Sequence, residues 1–430
     1  MASITPFQCP KKRFGKTEIM MPVLTCGGMR IQQSWNRRGN KISRIEDVDP
    51  ECQANLVATL RASLKHGINH FETAQGYGSS EIQFGEALNE ILKSGEIKRE
   101  DIILQTKVSP KKTAKAFREA LEVSFDRLKV DKNLGGYVDL LSFHGVNRHH
   151  QVDWVCGVEG SNQFPIDNCC MRVIDEYKAA GKIRHVGFST HAMTSVIIRA
   201  IKTELFSYVN LHYHYVGSYT ASGCGELSGG NGDAIAEAAA LDMGVFIISG
   251  NDKGGKLYRP SAKIARLCAP ELDPIKFNFL WLMEQPSVHT MVIGAARPTD
   301  FDDAMAVAPL VGTEEGRAKV AAVDAKLKAA AVEAHGETWA NGGWFKGVPD
   351  CYENDHGIHM CNIIWLHFIT KAWGLLEFSI DRYGTFDSNA RNWNWTAGAS
   401  FTENASDWGY STYHDELMTC LLIFFVSLIQ

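Results

Sequence analysis

The run Ile68-Asn69-His70-Phe71-Glu72-Thr73-Ala74-Gln75-Gly76-Tyr77-Gly78-Ser79-Ser80-Glu81 changes its period once. Up to Thr73 it is a short apolar segment, which predicts a strand. From Ser80 onward Glu81, Phe84, Leu88 and Leu92 step by three or four, which predicts a helix laid on a sheet. A strand that passes through a small-residue turn into a helix is one βα unit. The same alternation continues in both directions. Strands are predicted at Val23–Cys26, Ile68–Thr73, Ile102–Lys107, Val138–His144, His185–Ser189, Tyr208–Tyr213, Val245–Ser249 and Thr290–Ile293. Helices are predicted over Thr113–Leu128, Met171–Ala180, Gly232–Leu241 and Asp300–Val307. Eight strands at roughly forty-residue intervals, alternating with such helices, predict an α/β protein of the (β/α)8-barrel type, with an open doubly wound sheet as the alternative that periodicity alone leaves.

The composition agrees with one large core. The chain has 430 residues, 45% hydrophobic and 22% charged, with a formal net charge of −5 and no basic face, so a globular protein is expected and nucleic acid is not an expected partner. Eleven cysteines are scattered without a Cys-x-x-Cys pair, which predicts reduced thiols. Met1–Phe7 has no apolar signal core and the apolar run Leu421–Ile429 is shorter than the ~20 residues a spanning helix needs. A cytoplasmic protein without a membrane span is expected. After about residue 335 the composition shifts, with seven of the ten tryptophans beyond that point. The chain is therefore divided into a barrel, 1–335, and an aromatic-rich, partly helical extension, 336–430, docked on it. One extension helix carries Met360, Ile364, Phe368, Ala372 and Leu375 on one face, while 389–413 has no period.

Barrel active sites lie at the carboxyl ends of the strands. Glu72 and Tyr77 fall just beyond the second predicted strand, Lys107 closes the third and His144 the fourth. Singly, each has an ordinary reading: a lysine reaching water, a satisfied histidine, a packed tyrosine. Together they are a set of proton-handling groups. An ammonium beside a phenol favours phenolate, a carboxylate holds the ammonium charged, and an imidazole can orient a carbonyl. A barrel metallohydrolase would need more ligands than His144, His212 and His214 offer.

These segments resemble the aldo-keto reductase superfamily over roughly 12–328, in particular a branch of uncharacterised predicted oxidoreductases with a carboxy-terminal extension. Glu72-Thr73-Ala74-Gln75-Gly76-Tyr77-Gly78-Ser79-Ser80-Glu81 is similar to the family's Asp-Thr-Ala-x-x-Tyr-Gly-x-Ser-Glu motif. Thr106-Lys107, Leu141-Ser142-Phe143-His144, Gly181-Lys182-Ile183-Arg184-His185-Val186-Gly187-Phe188-Ser189 and Gly294-Ala295-Ala296-Arg297-Pro298 follow in family order. The resemblance implies an NAD(P)H-dependent oxidoreductase acting on a small-molecule aldehyde or ketone. Tyr77 would give the proton, Lys107 tune it, Glu72 pair with Lys107 and His144 orient the carbonyl. Ser189 and Asn210 would hold the nicotinamide carboxamide. Gly254, Gly255, Lys256 and Leu257 would run along the pyrophosphate, and Gly294 and Arg297 would lie near the adenosine phosphate.

The sequence departs from the family at four places. Glu72 replaces Asp, Asn210 stands for Gln, and Ser249-Gly250-Asn251 occupies the place of a stacking aromatic that Tyr213 could supply instead. Asp300 puts a negative charge near the adenosine end, which Lys253, Lys256 and Arg297 offset, so NADP(H) is favoured over NAD(H). Some members of the branch carry iron–sulfur clusters in their extensions. Here Cys351 and Cys361 cannot supply four thiolates, and no cluster is expected. A zinc set of Cys351, His356, His359 and Cys361 matches no common spacing, so no metal is assigned. The alternative function is a nucleotide-binding, redox-sensing adaptor barrel with little turnover. Substrate specificity is expected from loops 31–48, 149–168 and 216–233. Sequence leaves the substrate and the oligomeric state open.

Overall fold

Short apolar runs have backbone hydrogen-bonding groups to satisfy, and here they satisfy them in one another. A computed structural model describes residues 8–34, 42–217, 231–251, 259–341 and 360–384. Eight parallel strands close in chain order: β1 (Leu24–Gly27), β2 (His70–Glu72), β3 (Ile103–Val108), β4 (Val138–His144), β5 (Ile183–Ser189), β6 (Tyr208–His212), β7 (Gly244–Ile248) and β8 (Thr290–Ile293). β8 pairs with both β7 and β1, so the barrel has no edge. The predicted architecture is therefore observed. β4 and β8 have the predicted bounds, and the others differ at their ends by one or two residues.

The outer layer comprises α1 (Pro50–Lys65), α2 (Ser80–Lys93), α3 (Ala114–Arg127), α4 (Cys170–Ala179), α5 (Thr194–Ile201), α6 (Asn231–Ala240), α7 (Pro274–Glu284) and α8 (Glu314–His335). α1 and α7 share a start signal, an aspartate cap followed by proline: Asp49 accepts from the Glu51 N–H and Asp273 from the Lys276 N–H. The helix expected at Asp300–Val307 is split into a tight turn at Pro298–Phe301 and a short helix at Asp302–Val307.

The amino-terminal end of the barrel is closed by a hairpin pairing Lys11–Arg13 with Met20–Pro22. Its Phe14 is fully buried against Tyr208, and a side chain at Gly244 would come within 2.6 Å of the Phe14 ring. The opposite end is left open for a site.

α9 (Met360–Trp373) and α10 (Leu376–Tyr383) follow α8. The extension helix is not limited to one apolar face. Ile363, Leu366 and Ile369 are buried as well as Met360, Ile364 and Phe368, and all join one continuous core with the barrel. The reason is that α9 has neighbours on both sides. Trp373 Nε1 donates to the Leu327 carbonyl of α8 at 3.0 Å, whereas Ser379 of α10 donates to the Leu366 carbonyl at 3.2 Å. Trp365 Nε1 reaches the Val216 carbonyl beyond β6 at 2.8 Å. Among the described residues, no helix is long and apolar enough to cross a membrane.

Candidate active site

Parallel register carries side chains from successive strands to the same end of the barrel. His144 lies beside Ser189, and Ser189 beside Asn210, in the ladders of β4, β5 and β6. On the other side, Glu72 ends β2 and forms a buried ion pair with Lys107 of β3, the two side chains being 2% and 1% exposed. The Lys107 ammonium also sits over the Tyr77 ring, 4.5 Å from its centroid. His144 meets that ring edge-on, with centroids 5.5 Å apart and planes at 89°. The four residues expected to handle protons are therefore together.

They stand at a cleft of about 650 Å³, lined on this side by Gly27, Arg30, Glu72, Tyr77, His144 and Gly294. Ile248, Ser249, Asn251, Arg297, Asp300 and Asp303 line the other. Lys107, Ser189 and Asn210 do not reach the lining and lie within the barrel mouth, buried. The glycines give the cleft its room. A side chain at Gly27 would come within 2.3 Å of Val292, and one at Gly294 within 2.8 Å of the Arg30 stem.

Burial governs the electrostatics. It pushes the Lys107 ammonium well below the ordinary lysine range, because a charge is costly away from water. It raises the Tyr77 phenol, and the nearby Arg30 guanidinium acts against that rise. Arg30 escaped the sequence reading. Its signal was its position, three residues past β1 at the same barrel end. Glu81, at the start of α2, is fully buried. Its carboxylate accepts from Thr106 Oγ1 and Ser124 Oγ, both at 2.6 Å, and burial raises its pKa to about 7.

At the outer end of the cleft, Arg297 pairs with Asp300 at 3.1 Å. Asp300 also accepts from the Ala296 N–H at 2.7 Å and the Arg297 N–H at 3.1 Å, so its charge is committed to its own turn. Past β7, Ser249 is left-handed, with φ 53°, and Asn278 Nδ2 donates to the Gly250 carbonyl and to Asn251 Oδ1. Tyr213 packs against Trp281 with centroids 5.3 Å apart and rings tilted by 32°, and does not line the cleft. Among the described residues, none of 31–48, 149–168 or 216–233 lines it either. Gly254, Gly255, Lys256 and Leu257 lie outside the described residues, as do Lys253, Cys351, His356 and His359. Cys361 is buried in α9. Among the described residues, no group of three or more His, Cys, Asp or Glu side chains is placed to hold a metal ion.

Asn210 Nδ2 is buried with no hydrogen-bond partner among the described residues. A buried amide donor calls for an acceptor, and a carboxamide carbonyl has the right chemistry.

The fold and these polar strand ends define a (β/α)8-barrel protein with its site at the carboxyl ends of the strands. The chain belongs to the aldo/keto reductase family, whose model matches residues 23–325, a family of nicotinamide-dependent oxidoreductases. It is 28% identical over 167 residues to L-galactose dehydrogenase of Arabidopsis thaliana, a match that spans 37% of this chain and 43% of that relative. Among solved structures, it shares its fold with an aldo-keto reductase from Bacillus halodurans in its holo form. That likeness has a TM-score of 0.51 and 18% identity, over 74% of this chain and 96% of that one. An aldo-keto reductase from Klebsiella pneumoniae in complex with NADPH aligns with a TM-score of 0.50 and 20% identity, over 73% of this chain and 94% of that one.

Proposed function

We propose that this protein is an NAD(P)H-dependent reductase of an aldehyde or ketone. The observation that carries the reading is the grouping of Tyr77, Lys107, Glu72 and His144 at one cleft. When bound, the reduced nicotinamide supplies a hydride to the carbonyl carbon. Tyr77 Oη gives the carbonyl oxygen its proton, and in the reverse direction takes a proton from the alcohol. Lys107 stabilises the phenolate left behind, and Glu72 keeps Lys107 charged and in place against the cost of burial. His144, edge-on to the tyrosine, orients the carbonyl.

In this reading Ser189 and Asn210 hold the nicotinamide carboxamide, and Gly294 and Arg297 take the adenosine end, joined by 254–257. NADPH is the proposed partner, since Arg297 offers a cation to a 2′-phosphate once Asp300 releases it. The division into a barrel, 1–335, and a docked extension, 336–430, belongs to the same proposal and assigns no chemistry to the extension.

The test is nucleotide binding by fluorescence, followed by a reductase screen over aldehydes, ketones and sugars with each dinucleotide. Tyr77→Phe is expected to bind nucleotide like the unmodified protein and to lose roughly a hundredfold or more of its turnover. No nucleotide binding in the unmodified protein would overturn the enzyme reading. Intact turnover in Tyr77→Phe would overturn the mechanism alone.

A further inference from the structure

Below the mouth of the barrel, where apolar packing would be cheapest, the interior is crossed by a chain of polar side chains from six strands. Thr290 Oγ1 of β8 lies 2.8 Å from Thr25 Oγ1 of β1, which lies 2.7 Å from His70 Nδ1 of β2. His70 Nε2 is 3.0 Å from Gln105 Oε1 of β3, and Gln105 Nε2 donates to Ser142 Oγ of β4 at 3.0 Å. Ser142 Oγ in turn lies 3.0 Å from the Tyr208 hydroxyl and 3.4 Å from Asn210 Oδ1, both on β6. Every one of these residues is buried.

Proton counting gives the chain a direction. Gln105 Oε1 can only accept, so His70 carries its proton on Nε2, and His70 Nδ1 then accepts from Thr25. Burial lowers the His70 pKa to about 3, which keeps the ring neutral, as this arrangement requires. Ser142 has one proton and already accepts from Gln105. That proton faces two acceptors, the Tyr208 hydroxyl oxygen and Asn210 Oδ1. Ser142 therefore donates a shared, three-centre hydrogen bond to the Tyr208 oxygen and to Asn210 Oδ1. Asn210 is thereby fixed with its oxygen turned into the chain and its Nδ2, which has no partner among the described residues, left as the available donor.

We propose that Ser142, Gln105 and His70 are positioning residues that set the Asn210 amide so that Nδ2 presents a donor to the nicotinamide carboxamide oxygen. This rests on the reading of the protein as a nicotinamide-dependent reductase. The chain acts through Asn210 and touches no substrate. Its effect is therefore confined to ligands that carry the carboxamide.

The experiment compares NADPH with 2′-phospho-ADP-ribose, which has the same adenosine and pyrophosphate groups and no nicotinamide. Ser142→Ala removes the donor to Asn210 with little change in volume. It is expected to weaken NADPH binding roughly threefold to tenfold, the loss of one buried hydrogen bond, and to leave 2′-phospho-ADP-ribose within twofold. Gln105→Met, close in volume, is expected to do the same. In an Asn210→Ala background the Ser142 change is expected to add less than twofold. Equal weakening of both ligands, or an undiminished Ser142 effect in the Asn210→Ala background, would overturn the proposal. So would unchanged binding of both ligands in Ser142→Ala. If the unmodified protein bound neither ligand, the reductase reading itself would fall, and the proposal with it.

Discussion

The Lys107 ammonium sits 4.5 Å from the centroid of the Tyr77 ring and is also ion-paired with the Glu72 carboxylate. One cation thus serves two partners, and neither it nor Glu72 has appreciable access to water. Removing the carboxylate leaves a buried charge uncompensated. Glu72→Ala is expected to lower stability by about 3–5 kcal/mol, measured by urea unfolding. Glu72→Asp, which keeps the charge one methylene shorter, is expected to cost much less. Equal losses in the two variants would show that Glu72 contributes packing rather than charge.

The Arg30 guanidinium opposes the rise in pKa that burial imposes on the Tyr77 phenol. Arg30→Gln removes that positive charge, so the phenol pKa rises further and less phenolate is present at a given alkaline pH. In the proposed mechanism the phenolate takes the proton during alcohol oxidation, so the rise of rate with pH is displaced to higher pH. The expected result is an oxidation rate at pH 9 reduced roughly threefold to tenfold, with carbonyl reduction at pH 6 changed less than twofold. Equal loss in both directions would remove Arg30 from the proton chemistry.

The strand, turn and helix around Glu72 and Tyr77 were legible because the period changes within a dozen residues, and Lys107 and His144 were legible as polar residues ending apolar strands. Arg30 was not, because its stem crosses Gly294 in the loop after β8, a contact that no local pattern encodes. Asp300 was legible as a charge but not as the cap of its own turn. The one-face reading of α9 missed that Ile363, Leu366 and Ile369 leave it apolar all round, which itself signals burial on more than one side.

Asp300 both caps its turn and pairs with Arg297. Asp300→Asn keeps a carbonyl acceptor for the two backbone donors and removes the charge. Arg297 is then released toward a phosphate, and the preference for NADPH over NADH is expected to rise about twofold to fivefold, of the order of an exposed ion pair. The check is the ratio of the two dissociation constants. An unchanged ratio would place the 2′-phosphate away from Arg297.

Trp365 joins α9 to the segment beyond β6 through its indole donor to the Val216 carbonyl. Trp365→Phe keeps most of the apolar contact and leaves that carbonyl unpaired. The expected loss is about 1–3 kcal/mol, read as a lower urea midpoint with an unchanged slope. A separate early transition would instead show that α9 unfolds apart from the barrel, against the continuous core it shares with it.

Glu81 connects α2 to Thr106 of β3 and Ser124 of α3, with Arg127 nearby at 3.9 Å. Its pKa is about 7 in the folded protein, against an ordinary value of 4.5. Between those values the folded state holds more protons than the unfolded chain, so stability falls as pH rises. The contribution is complete below pH 4.5 and is lost as pH passes through about 7. The full span corresponds to about 3 kcal/mol. Glu81→Gln has no proton to lose and still offers an oxygen to Thr106 and Ser124. Relative to the unmodified protein it is therefore expected to gain stability between pH 5 and pH 8, by about 1–3 kcal/mol. Urea midpoints of both proteins at the two pH values measure it, since every other titrating group cancels in the comparison. A difference that stays constant with pH would mean that Glu81 is ionised in the folded state, with the Arg127 guanidinium rather than a proton balancing its charge.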